Sequence, residues 1–131
     1  MRRVAVLVSG GGTNLQALIN ARDAGHLPHA RLVLVLSSNP EAHALKRAEH
    51  AGIPARVVAR KALDDDAFDE ALLQALQSHR IDLVVLAGFL SIVGPRVLAA
   101  YAGRIVNVHP SLIPAFSGPG FYGLRVHEAA L

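Results

Sequence analysis

The 131-residue sequence has no cysteine, no tryptophan and a single methionine. The lack of cysteine excludes a disulfide framework, a thiolate metal site and a cysteine nucleophile, and it suits a reducing compartment. Aromatic residues make up 5% of the chain, too few for a base-stacking platform. Charged residues are 18% against 52% hydrophobic, which excludes a solvated, disordered chain. Apolar runs such as Val4-Ala5-Val6-Leu7-Val8 fall far short of the roughly 20 residues that cross a bilayer. That first run, behind Met1-Arg2-Arg3 and ahead of Ser9-Gly10-Gly11-Gly12, is also too short for a signal peptide, so the expectation is a mature cytoplasmic start.

What remains is one globular domain over residues 1–131. The net charge of +3 comes from 13 Lys and Arg against 10 Asp and Glu. These basic residues are scattered, a pattern that suits small anionic ligands as well as it suits nucleic acid. Five Val- and Leu-rich segments have strand character: residues 3–9, 31–37, 55–58, 81–87 and 104–109. The first, second and fourth lack polar alternation, as strands covered on both faces do. Helical patterns alternate with them at residues 14–24, from the Asn39-Pro40 pair to about Ala51, at 64–79 and at 95–102. Residues 126–131 read as the start of another helix. Alternating strands and helices predict an α/β fold, a doubly wound and mostly parallel sheet with helices on both faces, with function at the carboxyl ends of the strands. Residues 110–123, rich in Pro and Gly, read as a long structured loop.

Ser9-Gly10-Gly11-Gly12-Thr13-Asn14 lies between the first strand and the first helix. Three glycines allow close backbone approach, and the free amides of a first helical turn favour an anion. No Lys follows the glycines, so the NTPase spacing fails, and Leu15 stands where the dinucleotide fingerprint needs a third Gly or Ala. A phosphate and a ligand-free tight turn both remain open from these residues alone. Asn107 and His109 alternate with Val106 and Val108, so a strand aims both polar side chains at one face, where an amide and an imidazole could stabilise an oxyanion. A polar pair anchoring the next loop fits equally well. Ala87-Gly88-Phe89-Leu90-Ser91-Ile92-Val93 could wall a pocket for a flat heterocycle, or simply be core leaving the sheet. His26 and His29 lack the further ligands that a metal site needs.

Taken together, three segments resemble the phosphoribosylglycinamide formyltransferase family of folate-dependent enzymes. They are Val8-Ser9-Gly10-Gly11-Gly12-Thr13-Asn14-Leu15-Gln16, Val84-Val85-Leu86-Ala87-Gly88-Phe89, and residues 104–114 with Asn107-Val108-His109-Pro110-Ser111 at their centre. The resemblance implies a Rossmann-like formyltransferase fold and formyl transfer from 10-formyltetrahydrofolate to glycinamide ribonucleotide in purine biosynthesis. It also implies that Gly12, Thr13 and Asn14 hold the substrate phosphate, that Leu90, Ser91, Ile92 and Val93 line the folate pocket, and that Asn107 and His109 are catalytic. Neither a metal, a nucleic acid nor a membrane enters this expectation.

The sequence departs from the family in two ways. Asp65 stands where some members carry a basic folate contact. The family also continues beyond the position of Leu131, with an aspartate that pairs with the catalytic histidine, so the chain is expected to be C-terminally truncated and to turn over little by itself. An uncovered sheet edge would invite self-association, so a homodimer is expected to be accessible. Other readings stand beside this one: a 10-formyltetrahydrofolate hydrolase using the same Asn-His pair or another formyltransferase, and a non-catalytic phosphate- or folate-binding fragment.

Overall fold

The computed structural model describes residues 2–91, 93–108 and 126–128. Strands β1 (Arg2–Val8), β2 (Ala30–Ser37), β3 (Ala55–Val57), β4 (Leu83–Leu86), β5 (Ile105–Val108) and β6 (Val126–Glu128) form one sheet in the order β3-β2-β1-β4-β5-β6. All neighbours are parallel except β5 and β6, which are antiparallel. The chain leaves β1 for β2 on one side and reaches β4 on the other. The carboxyl ends of β1 and β4 therefore flank the point where strand order reverses, which is where open α/β sheets hold their ligands.

Helices α1 (Thr13–Asp23) and α2 (Ala44–His50) cover one face, while α3 (Asp65–Ser78) and α4 (Pro95–Ala100) cover the other. Strand alternation divides the core between them. Val4, Val6, Val8, Val85 and Val108 pack with Leu15, Leu18 and Ile19 of α1 and Ala48 of α2. Ala5, Leu7, Leu36, Leu86 and Ile105 pack with Phe68, Leu72 and Leu76 of α3 and Val97 of α4. Each fully buried Leu or Phe of these layers contributes about 1.5–3 kcal/mol relative to exposure.

The helix ends follow local chemistry. Asp64 caps α3 by accepting from the Ala67 amide at 2.7 Å. At the other end Arg80 N–H donates to Gln77 O and Ile81 N–H to Leu76 O, with Arg80 at φ 54°. This is the Schellman arrangement, here with an arginine at the left-handed position that glycine prefers. Gly25 and Gly52 occupy the equivalent positions after α1 and α2.

Two expectations need correction. The second helix begins at Ala44 with His43 as its N-cap, not at the Asn39-Pro40 pair. Asn39 Oδ1 instead accepts from Glu41 N at 3.0 Å and Ser37 Oγ from Asn39 N at 3.1 Å, and these side-chain bonds close a turn that competes with the helix. Residues 126–128 form strand β6 rather than the start of a helix. Asn107 pairs with His127 and Val108 with Val126, so the segment satisfies the open backbone edge of β5, a long-range demand that outweighs local helical preference. The expected loop at 110–123 lies outside the described residues. No helix among the described residues is long and apolar enough to cross a membrane.

Candidate active site at the strand carboxyl ends

The glycine turn joins β1 to α1 with Gly12 as the N-cap residue at φ 82°, a left-handed conformation. A Cβ on Gly12 would lie 2.6 Å from Ala44 Cβ and 2.8 Å from Ala44 Cα, so α2 packs against bare backbone there. Gly10 and Gly11 differ from Gly12, because a Cβ on either would meet nothing within 4 Å. The turn is thus tight on its α2 side and open on its outer side, leaving room for a ligand over the first amides of α1. Arg47 of α2 donates from Nε to Gly11 O at 2.8 Å and from Nη1 to Gln16 Oε1 at 3.3 Å, which places a guanidinium beside the turn. A cation there adds to the positive field of the helix start.

The three residues anticipated for phosphate binding are therefore adjacent, but they do not play equal parts. Gly12 shapes the turn and Thr13 is exposed at the start of α1. Asn14 is buried at 5% exposure, and its Oδ1 has no hydrogen-bond partner among the described residues. Its Nδ2 lies near Gly88, 3.8 Å from where a Cβ would stand, so the side chain reaches across the switch point toward the end of β4.

Asn107 belongs to the row Leu36, Leu7, Leu86, Asn107, with β4 directly between β1 and β5. Two strand spacings separate it from β1, about 10 Å across the sheet. Period two places its side chain on the face of Ile105, the α3 and α4 side, and the side chain is only half-buried. A polar amide thus ends a row of leucines at the functional edge of the sheet. His109 lies outside the described residues.

The segment after β4 runs along the same edge. Phe89 stacks on Phe68 with ring centroids 6.3 Å apart, while the Leu90 side chain is 87% exposed. Leu90 and Ser91 separate two grooves. One, of about 640 Å³, is lined by Ser9, Ser38, Asn39 and Arg60 among others; the other, of about 600 Å³, is lined by Arg60, Phe68, Asp69 and Gly94 among others. Val93 packs against the α3/α4 core and lines neither groove. Ile92 lies outside the described residues.

Asp65, at the position of the missing basic contact, pairs with Arg60, whose guanidinium sits 5.2 Å over the Phe68 ring. Arg96 lies against Asp66, Asp69 and Glu70 and is held above its usual basicity, first by its hydrogen bond with Asp66. Sequence patterns give no sign of Arg47, Ser38 or Asp69 as builders of this edge, and they place Ser9 only at the start of the glycine turn, not in contact with Leu90. Their contacts join residues 27 to 81 positions apart, and no local periodicity records such a pairing. Among the described residues, no group of three or more His, Asp or Glu could hold a metal ion.

Residues 2–131 match the family model described as Formyl transferase. The chain is 42% identical over 123 residues to the phosphoribosylglycinamide formyltransferase of Haemophilus influenzae, an alignment covering 93% of this chain and 58% of the relative. It is 44% identical to the trifunctional purine biosynthetic protein adenosine-3 of Drosophila melanogaster, over 99% of this chain and 9% of that much longer one. The glycinamide ribonucleotide transformylase 1 structure from Geobacillus kaustophilus superposes with a TM-score of 0.80 at 43% identity, covering 94% of this chain and 65% of that one. A formyltetrahydrofolate deformylase from Pseudomonas putida, at 24% identity and TM-score 0.74, shares the fold. The chain thus spans a little over half the length of the single-function relatives it matches.

Proposed function

Because this chain belongs to the formyl transferase family, we propose that it forms the phosphate-binding, folate-binding and Asn107-bearing part of a phosphoribosylglycinamide formyltransferase. The reaction moves a formyl group from 10-formyltetrahydrofolate to the amine of glycinamide ribonucleotide. The observation that carries this reading is the open glycine turn at the start of α1 on the same sheet edge as Asn107, across the switch point between β1 and β4.

In this reading the nucleotide phosphate rests over Gly11 and Gly12 against the free amides of Thr13 and Asn14, with Arg47 adding positive charge. The pteridine lies against the apolar face that Leu90 and Ser91 present, with Ile92 and Val93 completing the segment. The substrate amine forms a bond to the formyl carbon and the carbonyl oxygen takes up negative charge. Asn107 donates a hydrogen bond to that oxygen, and protonated His109 adds a charge-assisted one. The bond from carbon to the folate nitrogen then breaks, and the proton released by the amine passes to that nitrogen. None of the protein groups in this scheme requires a metal. The reading carries a cytoplasmic location and small-molecule partners rather than nucleic acid, with a homodimer as an additional expectation.

Titration calorimetry of this chain with glycinamide ribonucleotide and with 10-formyl-5,8-dideazafolate tests the proposal. Binding of both is expected. Binding of the folate analogue alone points to the hydrolase chemistry, and binding of neither overturns the proposal.

A further inference from the structure

The segment between β4 and α4 presents an unusual combination. Among the described residues its most exposed side chain, Leu90, is apolar and 87% exposed, so burial of that side chain does nothing to hold the backbone in place. The backbone is nevertheless tied at both ends by buried polar groups from other elements. At the first end, Leu90 N–H donates to Ser9 Oγ at 2.9 Å, and Ser9 Oγ lies 2.6 Å from Ser38 Oγ. Both serines are 8% exposed, and their hydroxyls join the ends of β1 and β2 to the segment. At the second end, Asp69 of α3 is 2% exposed, and its carboxylate accepts from Arg96 N at 2.8 Å and Val97 N at 3.3 Å. Gly94 passes directly over that carboxylate, since a Cβ there would stand 2.4 Å from Asp69 Cγ and 2.6 Å from Oδ1.

We propose that Ser9 and Asp69 are positioning residues, forming a two-point clamp that holds the backbone at Leu90 and Ser91 on one side and at Gly94 on the other in the shape that receives the folate heterocycle. The inference rests on the reading of that segment as the folate pocket. Neither residue touches the reacting atoms. Their contribution is that the segment is ordered before the ligand arrives, so binding need not supply the cost of ordering it. The exposed Leu90 then offers an apolar surface whose burial is gained only when the ligand covers it.

The test compares Ser9→Ala, Asp69→Ala, Asp69→Asn and the double variant Ser9→Ala/Asp69→Ala with the parent chain. Affinities for 10-formyl-5,8-dideazafolate and for glycinamide ribonucleotide are read by calorimetry, and backbone amide exchange by NMR. Each alanine variant is expected to weaken the folate analogue about tenfold, the scale of one buried hydrogen bond, while the affinity for glycinamide ribonucleotide stays within about twofold. Asp69→Asn, which keeps an acceptor oxygen, recovers part of the loss. The double variant loses less than the product of the two single effects, because a segment released at one end gains little from being held at the other. Exchange quickens at the Leu90 amide in Ser9→Ala, and at the Arg96 and Val97 amides in Asp69→Ala. Parent-like folate affinity in all variants overturns the clamp while leaving the proposed function standing. Equal losses for both ligands, with exchange raised throughout the chain, mark a general loss of stability and also overturn it. A parent chain that does not bind the analogue overturns the proposed function and the clamp together.

Discussion

Replacing Gly12 by alanine separates the two demands that the structure places on that position. The backbone there is left-handed at φ 82°, which costs an L-residue about 1–2 kcal/mol. The added Cβ would also fall 2.6 Å from Ala44 Cβ and 2.8 Å from Ala44 Cα, deep inside van der Waals contact and against a helix backbone that cannot swing aside. Overpacking of this kind typically costs a further ~1–3 kcal/mol, so the expected total is about 2–5 kcal/mol out of a domain stability of about 5–15 kcal/mol. Gly25→Ala supplies the reference: φ is 79° and a Cβ meets nothing within 4 Å among the described residues, so only the same backbone term of about 1–2 kcal/mol remains. Urea unfolding monitored by circular dichroism reads both, and with a slope of about 2 kcal/mol per molar the Gly12 variant should lose roughly 1–2.5 M in midpoint. Because relief of the clash moves α2 away from the turn, the affinity for glycinamide ribonucleotide should fall as well. If Gly12→Ala and Gly25→Ala destabilise equally, the close approach of α2 to the glycine turn is wrong, and the argument for a turn shaped by Gly12 goes with it.

Other expectations are open to direct measurement. Gly11→Ala should leave the urea midpoint near the parent's, since its Cβ meets nothing within 4 Å among the described residues, yet weaken binding of glycinamide ribonucleotide by intruding on the space above the turn; unchanged affinity would remove the phosphate from that space. In a form of the protein that turns over, Asn107→Ala should lower kcat by about 10²–10³ with little change in ligand affinity, and steady-state kinetics showing a change in KM alone would deny it an oxyanion role. Arg80→Gly should raise stability by roughly 1 kcal/mol, because a glycine relieves the left-handed strain at the end of α3; thermal unfolding checks this. Burial pushes the Tyr101 hydroxyl above its usual value near 10. Its neutral form is therefore favoured by folding, and the associated stability is complete below about pH 10 and lost as pH rises through the raised folded value. Tyr101→Phe should flatten the alkaline limb of the stability curve, as denaturation between pH 9 and pH 12 would reveal.

Much of this architecture follows from the order of residues along the chain. Unbroken apolar runs such as Val4-Ala5-Val6-Leu7-Val8 require cover on both faces, and helical stripes such as Phe68, Leu72 and Leu76 supply it, so a layered, mostly parallel sheet was legible without coordinates. The glycine turn and the period-two spacing of Asn107 were legible for the same reason, since close backbone approach and side-chain alternation are local properties. Tertiary structure decided what depends on partners distant in sequence. Residues 126–128 became a strand because β5 had an open edge, and Asn39-Pro40 lost the helix start to side-chain bonds that close a turn. Of three consecutive glycines, only Gly12 is required by its neighbours among the described residues, and the closest of them is Ala44, thirty-two positions on. Ser38, Arg47 and Asp69 are ordinary residues in a linear reading, and Ser9 is only the start of a glycine turn; hydrogen bonds that span the sheet edge make them its framework, because such bonds depend on where the folded backbone brings donors and acceptors together.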